Sequence, residues 1–129
     1  CREGAAEAGA EPVAVEDGDF TEAGGADAMR RILASGDLPD GLFVASDLMA
    51  RGAYTALREH GHEPGRDIAV IGFDDSAVAT SLVPALTTVR QPSHDQGRQM
   101  ATMLLDVLAG RATANAAILA TEIIEHASA

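Results

Sequence analysis

The chain has 129 residues, of which 47% are apolar, and its 20 acidic and 9 basic residues give a formal net charge of -11. This length fits one compact domain and is too short for two. Surfaces that grip nucleic acid use clustered lysine and arginine, so the acidic balance argues against DNA binding by these residues themselves. The single cysteine, Cys1, excludes an internal disulfide, and no apolar stretch reaches the roughly 18 residues of a membrane span. Without a disulfide or a secretion signal, we expect a cytoplasmic protein with no membrane contact.

The first third of the chain predicts a helix, a strand and a second helix. Residues 1–9 are typical of the end of a helix made of small side chains, and the apolar run at 12–15 predicts a strand. Thr21 is a suitable N-cap for the second helix, whose apolar residues fall on one face. Gly36, Pro39 and Gly41 then indicate a turn.

The middle of the chain predicts two more strands with a helix between them. Residues 42–45 form the second strand, and Ser46 or Asp47 caps the helix that follows, which ends at Gly61. Residues 68–73 form an apolar strand without polar alternation, which is typical of an inner strand covered on both faces. Residues 76–84 show no regular pattern.

The last third predicts an extended segment at 86–89, a helix at 94–109 that Gly110 ends, and a final strand at 118–124. The helix carries an apolar stripe that includes Met100, Leu104 and Leu105. Strands and helices that alternate in this way predict an α/β fold with a parallel sheet flanked by helices.

Polar residues follow two of the predicted strands directly. Ligands of parallel α/β sheets bind at the carboxyl ends of the strands, so Ser46, Asp47, Asp74 and Asp75 are candidates for a site. The Asp74 carboxylate can accept hydrogen bonds from two hydroxyls of a polyol. Asp75 is more typical of a turn, and Asp47 of a helix cap, whereas Ser46 fits a cap and a ligand contact equally well.

Metal binding by the two adjacent aspartates and ligand stacking by Phe20 are the other possibilities that the sequence raises. Asp74 and Asp75 together can attract Mg²⁺, but the third carboxylate and the phosphate-binding glycine loop that usually accompany such a pair are missing from the sequence. Phe20 follows the first predicted strand, where its ring either packs against the next helix or stacks on a ligand. The sequence therefore predicts no metal, no cofactor and no catalytic residue.

Four strings occur in one order along the chain: VASDLMARGA at 44–53, DIAVIGFDD at 67–75, PALTTVRQP at 84–92 and TEII at 121–124. With Gly97 and the Leu104–Leu105 pair, they resemble the effector-binding domain of lactose-repressor-type (LacI/GalR) transcriptional regulators. The resemblance covers nearly the whole chain. It implies a periplasmic-binding-protein-like fold, in which two α/β subdomains close on a small molecule that is usually a sugar and sometimes a purine.

The resemblance also implies a role for individual residues. The positions that bind the effector in this family correspond to Phe20, Ser46, Asp74 and Gln91. Residues 1–129 correspond to the C-terminal part of the effector-binding domain, and the helix at 94–109 is expected to pack on an N-terminal subdomain that this sequence does not contain.

The function implied is that of a sensor rather than an enzyme. A homodimer binds its effector and thereby controls operator binding, which depends on an N-terminal helix-turn-helix outside this sequence. The alternative is a periplasmic-type receptor that delivers a sugar to a transporter.

Overall fold

The computed structural model describes residues 2–36, 38–111 and 116–129, and Cys1 lies outside these ranges. The described residues form five helices and four strands. In chain order these are α1 (Arg2–Glu7), α2 (Glu22–Ser35), β1 (Gly41–Phe43), α3 (Asp47–Glu59), β2 (Ala69–Asp74), α4 (Ala77–Ser81), β3 (Thr87–Arg90), α5 (Ser93–Leu108) and β4 (Glu122–Ile124).

The four strands form one sheet in the order β1-β2-β3-β4. The first three are parallel, and β4 is antiparallel to β3 with Glu122 opposite Arg90. The first residue of β4 therefore pairs with the last residue of β3. The α/β fold predicted from the sequence is confirmed, and its sheet is mixed because α5 does not lead the chain back to the start of a new parallel strand.

The core lies between one face of the sheet and the helices α2 and α3. These helices approach closely because each has a glycine that faces the backbone of the other helix. A Cβ atom on Gly52 of α3 would lie 1.9 Å from the Glu22 carbonyl oxygen, and one on Gly25 of α2 would lie 2.2 Å from the Met49 carbonyl oxygen. On β2, Val70 is buried towards this core, whereas Ile71 and Phe73 are only half-buried on the other face. The expected cover on both faces of this strand is thus incomplete within the described residues.

The helix caps agree with the sequence prediction. The Thr21 hydroxyl accepts a hydrogen bond from the backbone N–H of Gly24 (3.0 Å) at the start of α2, and Ser46 does the same for Met49 (3.2 Å) at the start of α3. After α3 ends, Gly61 adopts a φ of +82°, a conformation that glycine adopts without steric cost. Short polar side chains at helix starts and glycine at helix ends thus set these boundaries as predicted.

Three predicted segments differ from the structure. Residues 12–15 form no strand: Val13 is 83% exposed, and Arg31 holds the next residues towards α2 through the Glu16 carboxylate (2.6 Å) and the Asp17 carbonyl (2.8 Å). The region 76–84 contains α4, which is too short to show an apolar repeat. The final strand is limited to β4, because Ile118 is 98% exposed and does not join the sheet.

Helix α5 lies apart from the core. None of its residues is buried, and its apolar side chains Met100, Leu104, Leu105, Val107 and Leu108 are all more than half exposed. The predicted apolar stripe is therefore present without a partner among the described residues. None of the helices in those residues has both the length and the apolar character that crossing a membrane requires.

Candidate functional site

Three of the predicted ligand residues follow the carboxyl ends of neighbouring parallel strands. Ser46 comes shortly after β1, Asp74 is the last residue of β2, and Gln91 directly follows β3. Because β1, β2 and β3 are parallel, these ends lie at one edge of the sheet. The structure thus places the three residues at the edge where α/β sheets bind ligands.

Asp74 and Gln91 are in direct contact. The Gln91 Nε2 donates a hydrogen bond to Asp74 Oδ1 at 3.0 Å, and both side chains can reach solvent. Burial raises the pKa of the Asp74 carboxyl; the Gln91 hydrogen bond opposes this rise, and the nearby Asp47 carboxylate adds to it. Above that pKa, the carboxylate has further lone pairs available to accept hydrogen bonds from hydroxyl groups.

The backbone at Asp74 is unusual. Its φ is +117°, and that of Asp75 is +54°, in the half of conformational space that side chains with a Cβ atom rarely occupy. Phe20, with a φ of +62°, is the remaining non-glycine residue with a positive φ in the described ranges. Such strain persists where surrounding contacts enforce it and concentrates at functional sites. Two of the four predicted ligand residues therefore carry this feature.

Ser46 has the role of a helix cap and is itself buried, with 5% of its surface exposed. Its hydroxyl accepts from Met49 and makes no other hydrogen bond within the described part of the chain. A serine hydroxyl also has one proton to donate, which the cap does not use. The cap and ligand roles considered from the sequence are therefore compatible.

Phe20 lies in the loop before α2 and is 67% exposed. A ring at this position can anchor a helix only by packing on an apolar residue at the fourth helical position, which here is Gly25. That interaction is not available to Phe20. The residue instead lines a largely apolar cleft of about 320 Å³, together with Ala45 and Met49 near the start of α3.

Asp75 differs from Asp74 in its contacts. Its carboxylate accepts a hydrogen bond from Arg90 Nε at 2.6 Å, and Arg90 also reaches Glu122 at 3.3 Å. The carboxylate is therefore occupied by an ion pair, which agrees with the turn role favoured for Asp75. Within the described ranges, no three histidine, cysteine, aspartate or glutamate side chains are grouped so that they could hold a metal ion.

Asp47 makes a connection that its place in the sequence does not predict. Asp47 is fully buried, and its carboxylate accepts hydrogen bonds from the Ser76 backbone N–H (2.7 Å) and the Thr88 hydroxyl (2.6 Å). These partners lie 29 and 41 residues further along the chain. An aspartate at a helix start predicts a cap, and no local pattern identifies partners at such distances.

A family model described as a periplasmic binding protein-like domain matches residues 1–129. The chain belongs to this family. Among curated proteins, the transcriptional regulator CelR of Thermobifida fusca is 44% identical over 96 residues, which cover 74% of this chain and 28% of CelR. The chain thus spans little more than a quarter of the length of this relative.

Solved structures give the same assignment. A CelR–cellobiose complex superposes with a TM-score of 0.87 at 38% identity, covering 99% of this chain and 40% of that one. The Lac repressor dimer bound to operator and an anti-inducer superposes with a TM-score of 0.90 at 28% identity, covering 98% and 44%. The resemblance to LacI-type effector-binding domains and the periplasmic-binding-protein-like fold are therefore both confirmed.

Proposed function

We propose that this chain is the effector-sensing part of a bacterial LacI-type transcriptional regulator, and that its effector is a small sugar. The observation that carries the proposal is the Asp74–Gln91 pair at the carboxyl edge of the parallel sheet. It offers a carboxylate and an amide, the groups that pair with the hydroxyls of a polyol, in a chain similar to a regulator solved with cellobiose.

Each of the four predicted residues makes a different contact with the sugar. Asp74 accepts hydrogen bonds from sugar hydroxyls, and Gln91 orients that carboxylate and contributes its own amide oxygen. Ser46 donates the proton that its cap does not use. Phe20, whose ring is largely exposed beside the apolar cleft, stacks on the C–H face of the sugar. None of these roles requires a metal, a cofactor or a catalytic residue.

The proposed assembly follows the regulators that the chain is similar to. The protein acts as a homodimer in the cytoplasm, where it binds operator DNA through a helix-turn-helix outside these 129 residues. The apolar face of α5 packs on an N-terminal subdomain, which explains why none of its residues is buried within the described ranges. Effector binding changes how the subdomains sit together and thereby the affinity for the operator.

A sugar receptor for a transporter is the alternative function. The fold is compatible with both roles, but the relatives described above are transcriptional regulators. We therefore propose a regulator and not a receptor or an enzyme.

The proposal can be tested on the full-length gene product. Calorimetric titration with cellobiose, glucose and ribose should show saturable binding of at least one sugar, and that sugar should change the affinity for operator DNA in a fluorescence anisotropy assay. Binding of a sugar without an effect on DNA affinity would favour the receptor. Binding of none of the three would contradict the proposed effector class.

A further inference from the structure

Asp47 and Thr88 form a buried polar pair beneath the proposed effector site. Both residues are fully buried, and the Thr88 hydroxyl donates to Asp47 Oδ1 at 2.6 Å. Gly72 makes room for the pair, since a Cβ atom at this position would lie 2.6 Å from Asp47 Oδ1. A buried carboxylate is costly unless its oxygens are paired, and here each Asp47 oxygen accepts a hydrogen bond, one from Thr88 and one from the Ser76 backbone.

The pair holds the two residues that follow Asp74. The Asp75 backbone N–H donates to the Thr88 hydroxyl at 3.3 Å, and the Ser76 backbone N–H donates to Asp47 Oδ2 at 2.7 Å. Both donors belong to the segment that begins with the positive φ angles of Asp74 and Asp75. Each such conformation is strained and requires contacts that enforce it.

The conformation of this segment decides where the Asp74 carboxylate points. On the solvent side, Gln91 holds the Asp74 side chain and Arg90 holds Asp75. Those two contacts are exposed, whereas Asp47 and Thr88 fix the backbone from within the core. The same Asp47 also follows Ser46 directly, so one buried carboxylate connects two of the strand ends that form the site.

We propose that Asp47 and Thr88 are positioning residues, which hold the turn after β2 in the conformation that presents Asp74 to the effector. The inference rests on the proposed function in so far as it concerns sugar binding. It predicts that losing the pair lowers the fraction of molecules competent to bind, which lowers the apparent affinity by the same factor.

The chain offers a matched control for testing this pair. Thr87 is the neighbouring residue in β3 and is also buried, and its hydroxyl likewise donates one hydrogen bond and accepts one, to and from the His126 backbone. Thr87→Val and Thr88→Val therefore remove the same hydroxyl with little change in volume. Only Thr88→Val removes the hydrogen bonds of the Thr88 hydroxyl to Asp47 and to the turn after β2. Thr88→Ser keeps a hydroxyl at this position.

Two measurements on the full-length protein follow. In Thr88→Val, the affinity for whichever of cellobiose, glucose and ribose the wild type binds should fall about tenfold, and Thr88→Ser should recover most of it. Thr87→Val should lower the melting temperature but change the affinity less than about twofold. Amide hydrogen exchange followed by NMR should accelerate at Asp75 and Ser76 in Thr88→Val and not in Thr87→Val.

The outcomes separate this inference from the proposed function. Equal losses of affinity in Thr87→Val and Thr88→Val would mean that general destabilisation causes the loss, and they would overturn the positioning role. Unchanged exchange at Asp75 and Ser76 in Thr88→Val would overturn it whether or not a sugar binds. A wild type that binds none of the sugars contradicts the proposed function, and the exchange data then still decide whether the pair holds the turn.

Discussion

Asp74→Asn tests the central residue of the proposed site with little disturbance of the fold. Asparagine has nearly the same shape as aspartate and tolerates a positive φ, so the backbone at +117° remains accessible to it. Alanine at this position would add backbone strain to the loss of the carboxylate. The side chain lies at the exposed end of β2, and the substitution should leave the stability almost unchanged.

The expected magnitude follows from the hydrogen bonds that the carboxylate can make. One of its roughly four acceptor positions is taken by Gln91, which leaves the others for effector hydroxyls. Hydrogen bonds to a charged group contribute about 1.5–3 kcal/mol, compared with about 1 kcal/mol for neutral partners. Losing the charge from two such bonds therefore costs about 1–4 kcal/mol and should weaken sugar binding by about 5- to 1,000-fold.

Asp75→Asn is the control for this prediction. It is the same chemical change at the next residue, which also has a positive φ, but the Asp75 carboxylate is bound to Arg90 at 2.6 Å. Losing a partly exposed ion pair costs about 0–1 kcal/mol of stability, and sugar affinity should change less than about threefold. Calorimetry on both variants tests which carboxylate binds the sugar. If Asp75→Asn lost as much sugar affinity as Asp74→Asn or more, the ligand carboxylate would be assigned to the wrong residue.

Four further results are expected. Gly52→Ala should lower the free energy of unfolding in a denaturant titration by at least about 1–3 kcal/mol, because its Cβ meets the α2 backbone. The 129-residue chain alone should dimerise at micromolar concentration in sedimentation equilibrium, since each large apolar side chain of α5 gains about 1.5–3 kcal/mol when covered; a monomer at high concentration would contradict this. Because burial raises the pKa of Asp74, sugar affinity of the full-length protein should fall on acidification at a higher pH than an ordinary aspartate would require, and Asp74→Asn should abolish this dependence. Protonation of a carboxyl whose pKa is raised by folding favours the folded state, so this loss of affinity should not be accompanied by a loss of stability from Asp74. Finally, glucose 6-phosphate should bind more weakly than glucose in calorimetry.

The parts of the fold that were predicted correctly depend on local chemistry. Thr21 and Ser46 cap their helices through hydrogen bonds that span three residues, and the helices carry apolar repeats long enough to recognise. A strand depends on a partner from elsewhere in the chain. The run at 12–15 has a suitable composition but pairs with no strand among the described residues, and the residues after it contact Arg31 of α2 instead. Local pattern alone cannot distinguish this case from a true strand.

The positions of the candidate site residues in the fold could likewise be predicted only in part. Asp74 ends β2 and Gln91 follows β3, so the order of the elements predicts both at carboxyl ends of strands. Their contact at 3.0 Å also requires β2 and β3 to be adjacent in the sheet, which the order of the elements alone does not determine. The partners of Asp47 depend instead on the register of β3 and on the start of α4, a helix whose five residues show no apolar repeat. The sequence therefore predicted that Ser46, Asp74 and Gln91 lie at the carboxyl ends of strands, but not how these residues are held.

The charges at this edge favour an uncharged effector. Of the four proposed ligand residues, Asp74 alone is ionised, and it is negative. Arg90, which directly precedes Gln91, is held by Asp75 and Glu122 and would have to give up these partners to meet an anion. Within a chain of net charge -11, a phosphorylated or carboxylated ligand would face repulsion without a compensating cation at these residues. Neutral hydroxyl groups instead supply the donors that the Asp74 carboxylate needs, which is why a free sugar fits this site better than a sugar phosphate.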